Sequence, residues 1–198
     1  MWKIGLTGSI ATGKSTVLKA FADLGVPVFS SDAAVHELYA GDAVAAVEQL
    51  FPGVSHKGAI DRAELSRRLT DHPEKLEALE ALIFPMVRAR IGRFLAETQS
   101  TGAALAVVDI PLLFEGGFDF GLDRIAVTMA EPATTRKRAL ARPGMSVEKL
   151  EAILARQMPQ DEKRKRADYI FYTEGPLART RDAVRALVEA LRKTPKGN

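Results

Sequence analysis

Short apolar runs and helix-spaced apolar positions follow one another along this chain. Trp2, Lys3, Ile4, Gly5, Leu6 and Thr7 form the first run, apolar enough for a buried parallel strand despite Gly5. Val28 and Phe29 form a second, entered through Gly25, Val26 and Pro27 and left at Ser30, Ser31 and Asp32. The third is the clearest, Ala104 to Val108, ending at Asp109 and followed by Pro111. Arg124 to Thr128 and Tyr169 to Tyr172 complete the set. Between them, Val17, Leu18, Ala20, Phe21 and Leu24 mark one buried face of a helix over Thr16 to Leu24, with Gly25 at the left-handed cap. Asp32 reads as the cap of a helix from Ala33 to Tyr39 that stops near Gly41. Strands alternating with helices predict an α/β fold, a doubly wound parallel sheet of about five strands.

Two interruptions are longer than a crossover needs. Asp61 to Leu69 opens on an Asp-x-x-Glu start signal (Asp61, Glu64), Pro73 opens Glu74 to Phe84, and Met86 to Glu97 follows Pro85. This stretch predicts a helical insertion over the C-terminal edge of the sheet, where doubly wound folds bind ligands. In the second, Arg136, Lys137, Arg138 and Arg142 end one helix, Pro143 and Gly144 break it, and Ser146 starts another reaching about Met158. Basic residues beside such a hinge read as a lid over phosphates, a solvated basic helix end being the alternative. The expected organisation is a single domain over 1–198. Its nucleotide-binding core comprises 1–54, 103–134 and 166–198, with an acceptor-binding insertion at 55–102 and a lid at 135–165. Thr194 to Asn198 is expected to fray.

Composition narrows the class. At 198 residues, 46% hydrophobic and 27% charged, the chain has the balance of a soluble globular domain. With no cysteine it has neither disulfides nor a thiolate metal site, and its three histidines are too scattered for a zinc motif. No apolar run reaches the length of a membrane span, and a signal peptide would consume the glycine-rich segment described next. A cytoplasmic protein without membrane or nucleic-acid partners is expected. The formal charge of +3 suits phosphate-rich ligands but is no nucleic-acid footprint, and Lys163-Arg164-Lys165-Arg166 reads as a solvated helix end near the nucleotide.

The chemistry starts at Gly8. Gly8-Ser9-Ile10-Ala11-Thr12-Gly13-Lys14-Ser15 fills every fixed position of the Walker A phosphate loop, and it sits between a strand and a helix as that motif requires. Gly8 and Gly13 are expected to take torsions closed to other residues, so that successive N–H groups turn inward around a phosphate at the helix N-terminus. Lys14 then reaches the β- and γ-phosphates and the Ser15 hydroxyl ligates Mg²⁺. The fold is therefore expected to be of the P-loop NTPase type. A switch GTPase should carry Asn-Lys-x-Asp, which is absent. A kinase needs a carboxylate to take the acceptor's proton and arginines to neutralise transferring charge, and Asp32 and the lid supply them.

Longer stretches resemble one family of such kinases. Gly5-Leu6-Thr7-Gly8 with Thr12-Gly13-Lys14-Ser15-Thr16, then Ser31-Asp32 with Ala34 and His36, are similar to the opening of dephospho-coenzyme A kinases. The likeness continues through Ile60-Asp61-Arg62 with Leu65, Val108 to Glu115 (Val-Asp-Ile-Pro-Leu-Leu-Phe-Glu), Arg138 with Arg142, Gln157, and Ala167-Asp168. The Asp-Ile-Pro-Leu-Leu-Phe-Glu run is its most specific part. The resemblance implies transfer of the ATP γ-phosphoryl group to the ribose 3′-hydroxyl of dephospho-coenzyme A, the last step of coenzyme A synthesis. It implies ATP on Gly8, Ala11, Thr12, Gly13, Lys14, Ser15, Thr16, Arg138 and Arg142, with Arg142 the stronger candidate of the two arginines. It implies Asp32 as general base, with Lys14 and Arg142 also catalytic. Asp32, His36, Asp109, Pro111, Leu112 and Glu115 would face the acceptor, and Ser15 and Asp109 would hold Mg²⁺. His56 and His72 receive no role. The chain departs from the family pattern at Ser30, where an acid is usual, at Phe84-Pro85 in place of His-Pro, and at Tyr172-Thr173, where an asparagine is usual. A nucleoside or nucleotide kinase on the same scaffold is the alternative. No feature decides the oligomeric state, a monomer being the working expectation.

Overall fold

In the computed structural model, which describes residues 1–194, the first apolar run lies in the middle of the sheet. This run is β1 (Trp2–Gly8), followed by α1 (Lys14–Asp23), β2 (Val28–Ser30), α2 (Ser31–Tyr39) and α3 (Val44–Leu50). A two-residue hairpin, β3 (Ser55–His56) and β4 (Ala59–Ile60), leads to α4 (Arg62–Asp71), a 3₁₀ turn at Pro73–Lys75 and α5 (Leu76–Ser100). Then come β5 (Leu105–Asp109), β6 (Arg124–Met129), α6 (Pro132–Leu140), α7 (Val147–Arg156), α8 (Gln160–Lys165), β7 (Tyr169–Tyr172) and α9 (Leu177–Lys193). The expectation for the tail beyond Thr194 lies outside the described residues.

Strand order is β2-β5-β1-β6-β7, with β1 parallel to both β5 and β6 and β6 parallel to β7. The chain leaves β1 toward β2 on one side and later crosses from β5 to β6 on the other. The end of β1 is therefore a point where connections diverge, the usual place for a ligand in an open α/β sheet. Register makes this specific, since Leu6 pairs with Asp109 and Gly8 with Thr128. The central strands read as continuous apolar runs because burial on both faces removes any reason to alternate. Ile4, Leu6, Val107 and Ala126 have no exposed surface, and with Val17 and Phe21 of α1 and Val184 and Val188 of α9 they form the main core. Phe21 meets Phe171 edge to face at 5.9 Å.

Contacts divide the chain into two compact units, one of Met1–Phe29 with the chain from Leu95 onward, the other Ser30–Phe94. The second unit begins before the helices of the insertion. The reason is local. Arg90 of α5 bonds Glu37 (2.7 Å) and Asp42 (3.1 Å), and Lys75 donates to the Leu50 carbonyl (3.3 Å) while lying over the Phe51 ring. The segment between α2 and β3 is thus tied to the helices that follow it.

Three local expectations are corrected. Ser30, not Asp32, caps α2: it is extended (φ −107°, ψ 116°) and its hydroxyl accepts from the Ala33 N–H at 3.3 Å. A serine just before the first helical turn reaches that N–H, which leaves Asp32 inside the turn. Pro85 does not end a helix; α5 runs through it, because Leu79, Ile83, Val87, Ile91 and Leu95 form one buried stripe that spans the proline. At α4 the start signal works by half. Asp61 accepts from Ala63 and Glu64 N–H at 2.9 and 3.0 Å, while Glu64 turns to Arg67 and Arg68. The hairpin had no forecast, although its Lys57-Gly58 turn, with φ of 51° and 81°, is the left-handed pair that two-residue loops favour.

Candidate active site

The phosphate loop is shaped by crowding as much as by torsion. Gly8 was expected to supply an unusual torsion, but its role is space. A Cβ there would lie 2.1 Å from Thr128 Oγ1 and 2.7 Å from Thr12 Oγ1. The left-handed torsions belong to Ala11 (φ 59°) and Gly13 (φ 86°), and at Gly13 a Cβ would also meet the Thr173 side chain at 2.9 Å. Hydroxyls brace the turn from beneath. Thr12 Oγ1 shares a 2.7 Å hydrogen bond with Thr128 Oγ1, and Thr173 Oγ1 donates to the Thr12 carbonyl at 2.7 Å. Thr173 in turn accepts from Arg138 Nη1 (3.1 Å), while Arg138 Nη2 donates to its carbonyl (2.9 Å). Thr173 thus joins the loop to α6.

Lys14 opens α1 and its ammonium is paired with the Asp109 carboxylate, whose side chain is 4% exposed. The parallel pairing of β1 with β5 makes the pair possible by placing Asp109 beside Leu6, just ahead of the loop. Ser15 and Thr16 are exposed at the N-terminus of α1, so the hydroxyls and the helix dipole face solvent together. Ser15 and Asp109 offer hard oxygen donors of the kind Mg²⁺ accepts beside substrate phosphates and water. Among the described residues no group of three or more His, Cys, Asp or Glu side chains forms a metal cluster.

Arg142 is exposed just beyond α6 and makes no side-chain hydrogen bond or ion pair among the described residues, whereas Arg138 is committed to Thr173. After β5, the Pro111 carbonyl accepts from Thr7 Oγ1 at 3.3 Å, and Leu112 is half-buried. Glu115 accepts from the Met158 N–H at 2.8 Å and lies 2.8 Å from Lys163 Nζ. Burial alone would raise the Glu115 carboxyl; the Lys163 ammonium and the Met158 N–H outweigh it and hold the group below the usual glutamate range. Lys163 is fully buried, against the expectation of a solvated helix end, which fits its neighbours Arg164, Lys165 and Arg166. Its place in the cluster is the one facing inward from α8, and only a buried carboxylate explains it. In the other unit, Asp32 and His36 are exposed on α2 one turn apart, and neither makes a side-chain hydrogen bond among the described residues.

Sequence reasoning missed Thr128, Thr173, Lys163 and the use made of Gln157, whose side-chain carbonyl accepts from the Ile10 N–H at 2.9 Å. A threonine ending an otherwise apolar strand was the one available hint, and it applies to Thr128 alone.

The model of the dephospho-CoA kinase family matches residues 2–178, nearly the whole chain. The chain belongs to the dephospho-CoA kinase family. It is 51% identical over 189 residues to the dephospho-CoA kinase of Rhizobium meliloti, covering 96% of this chain and 97% of that one. With the dephospho-CoA kinase of Rhodopseudomonas palustris the identity is 47% over 196 residues, covering 99% and 98%. Among solved structures, the dephospho-CoA kinase from Campylobacter jejuni superposes with a TM-score of 0.70 at 25% identity, over 97% of this chain and 98% of that one. The fold is therefore the P-loop NTPase fold, and the chain is a kinase of the family whose reaction is ATP-dependent phosphorylation of dephospho-CoA, the final step of coenzyme A biosynthesis.

Proposed function

We propose how this chain's residues divide the work of moving the ATP γ-phosphoryl group to the ribose 3′-hydroxyl of dephospho-CoA. The observation that supports the division best is the Lys14–Asp109 pair at the mouth of the braced loop. A polyphosphate arriving at the loop competes with Asp109 for the Lys14 ammonium, and the backbone amides of Ala11, Gly13, Lys14 and Ser15 share the remaining charge, those of Thr12 and Thr16 being bonded within the loop. The Ser15 hydroxyl and the Asp109 carboxylate would hold Mg²⁺, which would supply charge to neutralise the phosphates.

Asp32, carrying no competing side-chain hydrogen bond among the described residues, takes the 3′-hydroxyl proton as the new O–P bond forms and the bond to the bridging β–γ oxygen breaks. His36, one turn on, orients the acceptor, as do Pro111 and Leu112. Arg142 neutralises charge on the transferring group and helps exclude water that would otherwise accept it. Arg138 acts through Thr173 on the loop and only from there on the nucleotide. Residues 30–94 carry the acceptor side and 135–165 the lid. The setting is the cytoplasm, consistent with small soluble substrates; no helix among the described residues is long and apolar enough to cross a membrane.

The test is an acceptor panel with Mg-ATP: dephospho-CoA, nucleosides and nucleoside monophosphates. The proposal expects kcat/KM for dephospho-CoA to exceed every other acceptor by at least roughly 10², the scale a site built for hydrogen-bonded recognition reaches. Preference for a nucleoside or nucleotide would transfer the acceptor assignments to the alternative kinase, and hydrolysis without preference would remove them.

A further inference from the structure

The amide of Ile10 lies inside the phosphate loop yet is not free for phosphate. It donates to Gln157 Oε1 at 2.9 Å. Gln157 ends α7 in an extended conformation (φ −96°, ψ 138°), and the next residue's N–H, Met158, is held by Glu115 Oε1 at 2.8 Å. Glu115 is itself set by the fully buried Lys163, 2.8 Å away. Three segments meet at this corner: the turn after β5, the α7–α8 connection and the loop.

Packing supports the corner on one side only, where Ile10 lies against Ala11, Ala139 and Leu150. A cavity of about 740 Å³, bordered by Ile10, Leu154, Gln157, Met158 and Tyr172, lies against it, so side chains on that face give no close-packed support. Nor is the ion pair there for stability. Glu115 Oε2 is buried without a hydrogen-bond partner among the described residues, and Lys163 Nζ meets its carboxylate without good hydrogen-bond geometry. A buried pair satisfied this poorly is at best neutral for stability, and fixing a unique geometry is the better-attested use of such a pair. The acceptor on Ile10 is a neutral amide. A carboxylate in that place would put a negative charge beside the polyphosphate.

We infer that Gln157 is a positioning residue for ATP, holding the Ile10 amide so that the loop is preset for phosphate, and that Glu115 and Lys163 position Gln157 in place of contacting the acceptor. This rests on the reading that the loop holds the phosphates of ATP. Ala11, the loop's left-handed residue that is not a glycine, follows directly after the tethered amide. A released Ile10 N–H would therefore let the strained turn relax, and part of the binding energy would be spent restoring it.

The experiment measures ADP binding by calorimetry without acceptor, together with steady-state KM values for ATP and dephospho-CoA and the Tm. Gln157→Met keeps length and volume but removes the acceptor. It is expected to weaken ADP and raise KM for ATP about tenfold, the scale of one unsatisfied buried donor, with KM for dephospho-CoA within about twofold. Glu115→Gln with Lys163→Met removes the ion pair while leaving an oxygen for Met158. It is expected to reproduce the ATP effect, and adding Gln157→Met to it should cost little more, since all three act on one contact. ADP affinity within about twofold of wild type for Gln157→Met would overturn the inference, whether or not the double variant folds. So would a double variant that raises KM for dephospho-CoA alone, which would return Glu115 to the acceptor. Failure of the wild-type chain to bind ADP would instead remove the reading beneath it.

Discussion

The Lys14 ammonium, at the start of α1, is paired with the Asp109 carboxylate at the end of β5, which the register of β1 with β5 places beside Leu6. In the proposed reaction the two groups have different partners, phosphate for the lysine and Mg²⁺ for the acid. Their pairing compensates two charges that are both largely buried. Asp109→Asn separates these functions. It is expected to leave metal-free ADP binding no weaker, because Lys14 no longer has a carboxylate to leave, and to lower kcat by roughly 10². Calorimetry in chelator and a coupled ADP-release assay check the two halves.

Asp32 sits in the first turn of α2 with the capping already done by Ser30. Its replacement should therefore cost activity without unravelling the helix. Asp32→Asn is expected to slow phosphoryl transfer by roughly 10² to 10⁴ with ADP affinity and Tm nearly unchanged. Ser30→Ala should do the reverse, lowering stability by about 1 kcal/mol. Kinetics and thermal melts on the two variants distinguish the roles.

Gly8 admits no side chain, since a Cβ would lie 2.1 Å from Thr128 Oγ1 and 3.0 Å from the Thr128 carbonyl. Gly8→Ala is expected to cost about 1–3 kcal/mol of stability and most of the ATP affinity. Thr128→Ala in the same chain should recover only part of the loss, because the carbonyl remains. Gly25→Ala has open space around the new methyl, with only its φ of +71° opposing it, and should leave nucleotide binding intact. Denaturant melts and ADP titrations compare the three.

Glu64 offers a pH test away from the site. Hydrogen bonds from Arg67 first and Arg68 second hold its carboxyl at about 2, well below the ordinary 4.5. A depressed folded pKa contributes stability that is complete above the unfolded value and lost as pH falls through the folded one. The window is therefore pH 4.5 down to about 2. Glu64→Gln should lower Tm slightly at pH 7 and flatten the Tm profile inside that window, and high salt should shrink the difference because the group is accessible to water. Tm measured against pH for both proteins checks it.

What the sequence made readable was whatever the backbone alone determines. The Walker A loop, the strand ending at Asp109 and the buried stripe of α1 follow from local pattern, and each lies where its spacing required. The rest depends on partners far along the chain. Ser30 and Asp32 are both good caps by type, and the strand's exit decides between them. Pro85 is a helix breaker locally and is overruled by a stripe that needs ten more residues to recognise. Lys163 looks like its three charged neighbours until Glu115, distant in sequence, is placed beneath it. Gln157 and Thr173 carry no local signal, because their roles consist of hydrogen bonds to Ile10 and Thr12.

The most direct measurement is a crystal structure of the protein with MgADP. Lys14 Nζ is expected to have left Asp109 for the β-phosphate, with the amides around Gly13 turned onto the same group and the Ser15 hydroxyl toward the cation. Nucleotide bound elsewhere, with Lys14 still on Asp109, would contradict the account.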